Sequence, residues 1–297
     1  MFKILQKTLK TGIATAPYPS TPARLSEHFR GRPAFDLDRW RDARPAADVC
    51  PTGAIAVRDC DDSRDVTIDY GLCIFCGQCA DVSEGAVQIT REFELTATDR
   101  CDLVTTAQYA LNPDGSHARL TSVSGPDKNP PASELGHKLT QDIHSILGRS
   151  LAIRQVDAGS CNGCELEIVA LNNPVHDIER FGIHFVASPR HADMLLVTGP
   201  VTRNMELALL KTYAATPEPK VVVAVGACGI SGGIFGVNYA TRGGVEHVIP
   251  VDVFIPGCPP RPEALLHGIL LAVGRLSQKA PSHTRRAQPH SGASVTS

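Results

Sequence analysis

The second half of the chain alternates short apolar runs with segments of helical spacing. Apolar runs of strand length lie at 151–156, 183–186, 194–197, 220–225 and 251–255. Between and after them, residues around 203–214 and 262–276 carry apolar side chains at helical spacing. Short apolar strands that alternate with helices are typical of a parallel sheet with helices on both faces. The pattern therefore predicts an α/β domain.

A change in composition divides the chain. Its 297 residues suffice for about two domains of ordinary size. Residues 112–134 are rich in Pro, Gly, Ser and Asp, which is typical of a linker or a long surface loop. Beyond about Ser277 the apolar periodicity ends. The predicted division is a first domain over 1–111, a linker over 112–137, the α/β domain over 138–276 and a disordered tail over 277–297.

Charge and hydropathy exclude several classes of protein. The net charge of −2 gives no basic balance that would indicate nucleic-acid binding. No stretch approaches the roughly 18 to 20 apolar residues that a membrane span needs. The first residues, Met1 to Lys7, lack the apolar region of a secretory signal. We therefore expect a cytoplasmic protein, in a compartment where thiols stay reduced.

Ten cysteines are an unusually large number for such a chain. In a reducing compartment they indicate metal or redox chemistry rather than disulfides. Six lie between Cys50 and Cys101, and the other four lie between Cys161 and Cys258. The gap between the two groups coincides with the predicted linker, so each domain has its own cysteines.

The first group contains the signature of a bacterial ferredoxin. Cys73-Ile-Phe-Cys76-Gly-Gln-Cys79 places three cysteines at the spacing that one iron–sulfur cluster uses, and Cys50-Pro51 supplies a fourth. A second cluster would need cysteines at 40, 43, 46 and 83, where the chain has Trp, Ala, Ala and Ser. One complete ligand set remains and the other is lost entirely. The first domain is therefore predicted to be ferredoxin-like α+β with one 4Fe-4S cluster.

Zinc is the alternative for these four cysteines, because four thiolates also suit a tetrahedral zinc ion. The run of three closely spaced cysteines argues against it, since structural zinc usually takes its ligands as separated pairs. Cys60 and Cys101 lie outside any motif, and we interpret them as incidental thiols.

The second group of cysteines follows three predicted strands. Cys161-Asn-Gly-Cys164 comes after the first strand, Cys228 after 220–225, and Cys258 after 251–255. Loops at the carboxyl ends of parallel strands meet at one edge of the sheet, so four thiolates can bind one further 4Fe-4S cluster there. Taken separately, a lone cysteine is more often a small buried residue, and C-x-x-C is also found in thioredoxin-like dithiols. The fourfold pattern favours the cluster.

Two motifs resemble the small subunits of nickel–iron hydrogenases. They are Asp157-Ala-Gly-Ser-Cys161-Asn-Gly-Cys164-Glu165 and Gly257-Cys258-Pro-Pro-Arg-Pro-Glu263, joined by 181–183, 187–193 and 198–202. The resemblance covers 138–276 and is to the membrane-bound, energy-converting branch, with formate hydrogenlyase and the B-type subunit of complex I as relatives. It implies a flavodoxin-like sheet. The first hundred residues resemble the separate ferredoxin-like subunit of the same complexes.

The resemblance also implies a function. The chain would be an electron-transfer subunit without a catalytic centre of its own, relaying electrons through two 4Fe-4S clusters to the Ni–Fe site of a partner large subunit. It would lie on the inner face of the cell membrane through membrane subunits of the complex. Two other interpretations stay open: a subunit like that of complex I, which passes electrons to quinone, and a scaffold whose partner has lost its metals. Glu165 would be either a proton relay or a structural carboxylate hydrogen-bonded to backbone.

Overall fold

The structure, a computed structural model, describes residues 2–60, 62–125 and 150–279. In the first domain the elements are α1 (Phe2–Thr11), β1 (Pro33–Phe35), α2 (Arg44–Asp48), β2 (Ile55–Cys60), β3 (Ser63–Asp69), α3 (Gln78–Asp81), β4 (Val87–Ile89), β5 (Val104–Leu111) and β6 (His117–Ser124). In the second they are β7 (Leu151–Asp157), α4 (Gly163–Ala170), β8 (Ile183–Phe185), β9 (Met194–Thr198), α5 (Arg203–Ala215), β10 (Val221–Val225), α6 (Gly226–Ser231), β11 (Val253–Ile255) and α7 (Pro262–Lys279).

The second domain contains a parallel sheet with the order β8-β7-β9-β10-β11. Counted within the domain this is 2-1-3-4-5, the flavodoxin-like order. Every residue of β9 and β10 is buried, as expected of strands covered on both faces. The predicted strands and helices of this half are confirmed, with bounds that differ by a few residues.

Helices cover both faces of that sheet because alternate strand residues point to opposite sides. On one face, Val223 packs in a core with Leu265 and Ile269 of α7. On the other face, Val222 packs with Leu209 of α5 and Ile230 of α6. The two layers fix the carboxyl ends of the strands, and with them the loops that carry the second group of cysteines.

The first domain has two antiparallel sheets. β1 pairs with β4, and a larger sheet has the order β2-β3-β5-β6. Its last strand corrects the linker prediction, because residues 117–124 form β6 and pair with β5. Apart from Ala118, Leu120 and Val123 this edge strand is polar, and it is mostly exposed, so its composition resembles that of a loop. The rest of the predicted linker, and the tail from 280, lie outside the described residues.

The two domains share a core. Tyr18 is buried in the same cluster as Leu265 and Ile269, and Phe93 packs against that cluster. Ala97 and Phe254 exchange two backbone hydrogen bonds, of 3.0 and 2.8 Å, so the first domain covers the edge of the parallel sheet at β11. The relative position of the two groups of cysteines is therefore set by packing.

Candidate metal centres

The four ferredoxin-type cysteines line one pocket of the first domain. Cys50 follows α2, Cys73 and Cys76 lie in the loop after β3, and Cys79 is in α3. The pocket wall is mainly apolar and includes Pro33, Phe35, Ile55, Ile68, Tyr70 and Ile74. Such a lining keeps water from the sulfur atoms, which is one way in which proteins tune iron–sulfur groups.

The loop between these cysteines turns sharply. Phe75 and Gly77 have φ angles of 55° and 87°, in the left-handed region. The backbone amide of Phe75 donates to Cys73 Sγ at 3.4 Å. On the outside of the loop, Arg30 Nη1 donates to the carbonyl of Cys76 at 2.9 Å. The turn brings the three closely spaced cysteines to the same pocket as Cys50.

The second group of cysteines lies at the carboxyl edge of the parallel sheet. Cys161 and Cys164 follow β7, Cys228 follows β10 within α6, and Cys258 follows β11. The loops after β7 and β9 meet where the strand order reverses, which is the usual ligand-binding crevice of such sheets. A Cβ atom on Gly199, after β9, would lie 2.8 Å from the backbone nitrogen of Ser160. The edge is therefore closely packed around these loops.

Burial raises the pKa of several of these thiols. It raises the pKa of Cys73 to about 12, and those of Cys79 and Cys228 to about 11. Burial also raises the pKa of Cys164, followed by the charge of Glu165 and then by the three other cysteines of its group. Other cysteines of the same group also contribute to the raised pKa values of five thiols, namely Cys73, Cys79, Cys164, Cys228 and Cys258, so the structure brings the cysteines of each predicted set near one another. Because a thiolate is the form that binds metal, metal binding must release these protons.

Glycines bring backbone against the sulfur atoms of the second group. A Cβ atom on Gly226 would lie 2.9 Å from Cys164 Sγ, and one on Gly233 would lie 3.0 Å from Cys228 Sγ. Gly163 would place its Cβ 3.5 Å from Cys161 Sγ. A side chain at the first two positions would crowd the sulfur atoms. Four thiols in a glycine-lined cradle fit an iron–sulfur cluster, whose sulfurs accept hydrogen bonds from nearby backbone.

Comparison with known proteins identifies the family. Residues 161–272 match the family described as NADH ubiquinone oxidoreductase, 20 kDa subunit. Over 142 residues the chain is 53% identical to a probable membrane-bound hydrogenase subunit of Pyrococcus furiosus, covering 48% of this chain and 84% of that protein. The chain belongs to the NADH ubiquinone oxidoreductase 20 kDa subunit family. The resemblance predicted from the cysteine motifs is confirmed.

Two further members of the 20 kDa subunit family show its breadth. Formate hydrogenlyase subunit 7 of Escherichia coli is 53% identical over 131 residues, which are 44% of this chain and 51% of that protein. The NADH-quinone oxidoreductase B-type subunit of Citrifermentans bemidjiense is 47% identical over 119 residues, which are 40% of this chain and 69% of that protein. The relatives are oxidoreductase subunits of both hydrogenase and quinone-reducing complexes.

The 20 kDa subunit family match contains one of the two cysteine groups. It begins at Cys161 and ends within α7, so Cys164, Cys228 and Cys258 lie inside it. Members of the family bind an iron–sulfur cluster. The ferredoxin-type group, Cys50 to Cys79, lies outside the matched residues.

The positions at which a second cluster would need cysteines belong to the core of the first domain. Trp40, Ala43 and Ala46 are buried together there, with Trp40 2% exposed. The Trp40 ring lies 5.3 Å from that of Phe35. The hydroxyl of Ser83 accepts a hydrogen bond from the Val87 amide at 3.0 Å. Side chains therefore occupy the place where a second set of cysteines would converge.

The carboxylate of Glu165 is hydrogen-bonded to the side chain of Thr198. Its Oε1 accepts a very short hydrogen bond from the Thr198 hydroxyl at the end of β9. Its Oε2 is buried without a hydrogen-bond partner among the described residues. The carboxylate thus connects the start of α4 to the end of β9 through a side chain, whereas the structural alternative of the two predicted roles had a backbone partner.

Arg261 is a contact residue that sequence reasoning missed. It follows Cys258 by three residues, and its guanidinium lies 4.9 Å from the ring of Phe29 and 5.2 Å from that of Phe93, both in the first domain. It also donates two hydrogen bonds, of 2.6 and 2.8 Å, to the carboxylate of Glu263. The motif around Cys258 contained Arg261, but its aromatic partners lie more than 160 residues away.

Three further findings concern residues 2–60, 62–125 and 150–279. No helix in them is long and apolar enough to cross a membrane. No three His, Cys, Asp or Glu side chains there converge as they would around one metal ion. Cys60 and Cys101, predicted to be incidental, are both exposed.

Proposed function

We propose that this chain is the electron-transfer subunit of a membrane-associated hydrogenase complex of the formate hydrogenlyase type. The observation that carries the proposal is the pair of gathered cysteine sets, Cys50/Cys73/Cys76/Cys79 and Cys161/Cys164/Cys228/Cys258. Each set would hold one 4Fe-4S cluster, with one thiolate on each iron. Such clusters take up and release single electrons when bound. The chain itself binds them, orients them and excludes water.

The partner is proposed to be a large subunit of the nickel–iron hydrogenase type. Leu166 and Val169 of α4, directly after Cys164, are 64% and 67% exposed. Phe235 and Val237, shortly after Cys228, are exposed as well. Exposed apolar side chains around one site favour a covering protein. The names of the hydrogenase relatives support a large subunit with membrane subunits next to it.

A complex I-like function, with electrons passed to quinone, is the second candidate. The observation that favours it is the 47% identity to a NADH-quinone oxidoreductase subunit. In subunits of complex I the two cysteines of this loop are adjacent, whereas in this chain two residues separate Cys161 from Cys164. The spacing therefore favours hydrogenase. The metal content of the purified complex separates the two, since nickel accompanies a hydrogenase large subunit.

Iron content tests the two-cluster proposal. Anaerobically purified chain is expected to contain about eight iron and eight sulfide, because each complete ligand set binds about four of each. Cys73→Ala and Cys228→Ala are each expected to remove about half and to leave the other set loaded. Cys60→Ala, an exposed thiol outside both sets, is the control. About four iron in the native chain would overturn one assignment, and stoichiometric zinc would overturn the ferredoxin-type site.

Membrane attachment is proposed to involve α1. Its lysines Lys3, Lys7 and Lys10 are exposed, and the sequence puts Phe2, Leu5 and Leu9 together on another face. Removing residues 2–12 is expected to lower the fraction of the assembled complex that sediments with membranes. Replacing the three lysines with glutamine is expected to give part of that loss, at about 1 kcal/mol per lysine near an anionic surface. Unchanged sedimentation of both variants would exclude an anchoring role.

A further inference from the structure

The loops that carry the two cysteine sets touch each other. Ser231 is the last residue of α6 and follows Cys228 by three positions, and Gly71 precedes Cys73 by two. The Ser231 hydroxyl donates to the Gly71 carbonyl at 2.9 Å. This hydrogen bond spans 160 positions of sequence and connects the two sets through only a few residues on either side.

On the side of the second domain, the hydroxyl is tied to the backbone around Cys228. Ser231 Oγ also lies 2.9 Å from the Ala227 carbonyl, so its single hydrogen is shared between two acceptors. It accepts from the amide of Gly233 at 3.2 Å. The amide of Gly232 donates to the carbonyl of Cys228 at 2.9 Å. A displacement of Ser231 would therefore also displace the backbone around Cys228.

On the side of the first domain, Gly71 is held from two directions. Its amide donates to Asp69 Oδ1 at 2.8 Å, and Asp69 is fixed in turn by Arg100 at 2.5 Å. A Cβ atom on Gly71 would lie 2.7 Å from Cζ of Arg100 and 2.8 Å from Cγ2 of Ile230, a fully buried residue of α6. The glycine thus lets α6 approach this loop while Arg100 packs on it.

We propose that Ser231 and Gly71 form the positioning contact that sets the electronic coupling between the two clusters. The inference rests on the proposed two-cluster function. With both sets loaded, a single electron would pass between them without any bond being formed or broken, and the hydroxyl proton would stay on Ser231. Electron transfer weakens steeply with distance and with gaps in the bonded path. A hydrogen bond between the loops of the two cysteine sets holds the sets close together. It also replaces a through-space gap in the bonded path between them.

The first test replaces Ser231 in the full chain, purified anaerobically. Ser231→Ala is expected to keep the native iron content and to lower the rate of electron exchange between the sets severalfold. With both clusters reduced, their magnetic interaction in electron paramagnetic resonance spectra should weaken. Ser231→Thr, which keeps the hydroxyl, should restore both readouts. Native coupling in Ser231→Ala at full iron content would overturn the inference.

The second test changes the spacing. Gly71→Ala is expected to push the loops apart and to weaken the magnetic interaction at unchanged iron content. Gly274→Ala is the matched control, because a Cβ on that α7 glycine meets nothing within 4 Å. An unchanged interaction in Gly71→Ala contradicts the inference alone. A native chain with half of the expected iron would contradict the proposed function as well, so the two failures are distinguishable.

Discussion

Replacing Cys164 with serine is expected to abolish hydrogen evolution from the physiological donor, while the large subunit still receives its nickel. Cys164 is a largely buried member of the second set, and Gly226 is packed against its sulfur. Serine offers a poor ligand to iron in place of a thiolate, so the second site would be lost or altered. Because this set is proposed to face the partner, no electron would reach the Ni–Fe site.

The measurement is hydrogen evolution by the whole membrane fraction, with nickel determined on the same sample. Cys101→Ser is the control, since Cys101 is exposed and belongs to neither set. Full activity of the Cys164→Ser membranes would mean that the second set is not on the electron path. Nickel-free membranes that reduce quinone, with this reaction lost in the variant, would favour the complex I-like function.

Trp40→Ala is expected to cause the largest loss of stability, about 3–5 kcal/mol in the free energy of unfolding of the first domain. The ring is 2% exposed and packs with Phe35 in the core of the first domain. Truncation removes the buried surface and leaves a cavity. Since Trp40 is the single tryptophan of the chain, unfolding is followed by circular dichroism in urea.

Val123→Ala on the edge strand β6 is the control for that experiment. Val123 is 51% exposed, so its truncation is expected to change the free energy of unfolding by less than about 0.5 kcal/mol. A similarly small change in the free energy of unfolding for Trp40→Ala would contradict the proposal that the ring fills the core at this position. An unchanged slope of the urea transition is required, because a changed slope reports on the denatured state.

The parallel sheet could be predicted because its signal is local, and the two cysteine sets, which remain predictions, also depend on local signals. Strands such as 221–225 and 194–198 are buried on both faces, so nearly every residue is apolar and the pattern is unambiguous. The size of an iron–sulfur cluster limits the spacing of its ligands. Cys73, Cys76 and Cys79 have such a spacing, and it can be read directly from the sequence. The prediction that the first domain has one cluster also depends on a local signal, the other residues found at the four positions where a second set needs cysteines.

Other features have no local signal. The strand 117–124 lies at a sheet edge and is largely solvated, so it lacks the alternation that marks a half-buried strand. The contact of Ser231 with Gly71 arises from residues far apart in sequence, as does that of Arg261 with Phe29. Such contacts depend on how two domains pack, and neither composition nor periodicity reports on that packing.

The shared core imposes an order on synthesis. Tyr18 and Phe93 pack against the cluster that contains α7, which leaves the ribosome last among the described elements. At about 5–20 residues per second, translation from residue 100 to residue 279 takes roughly 10 to 40 seconds. The cysteines up to Cys79 are made before that interval begins, and the last buried residue of the core around Trp40, Tyr109, follows early in it. A nascent chain would therefore have time to fill the first proposed site before the second exists, while Tyr18 and Phe93 stay uncovered until α7 is made.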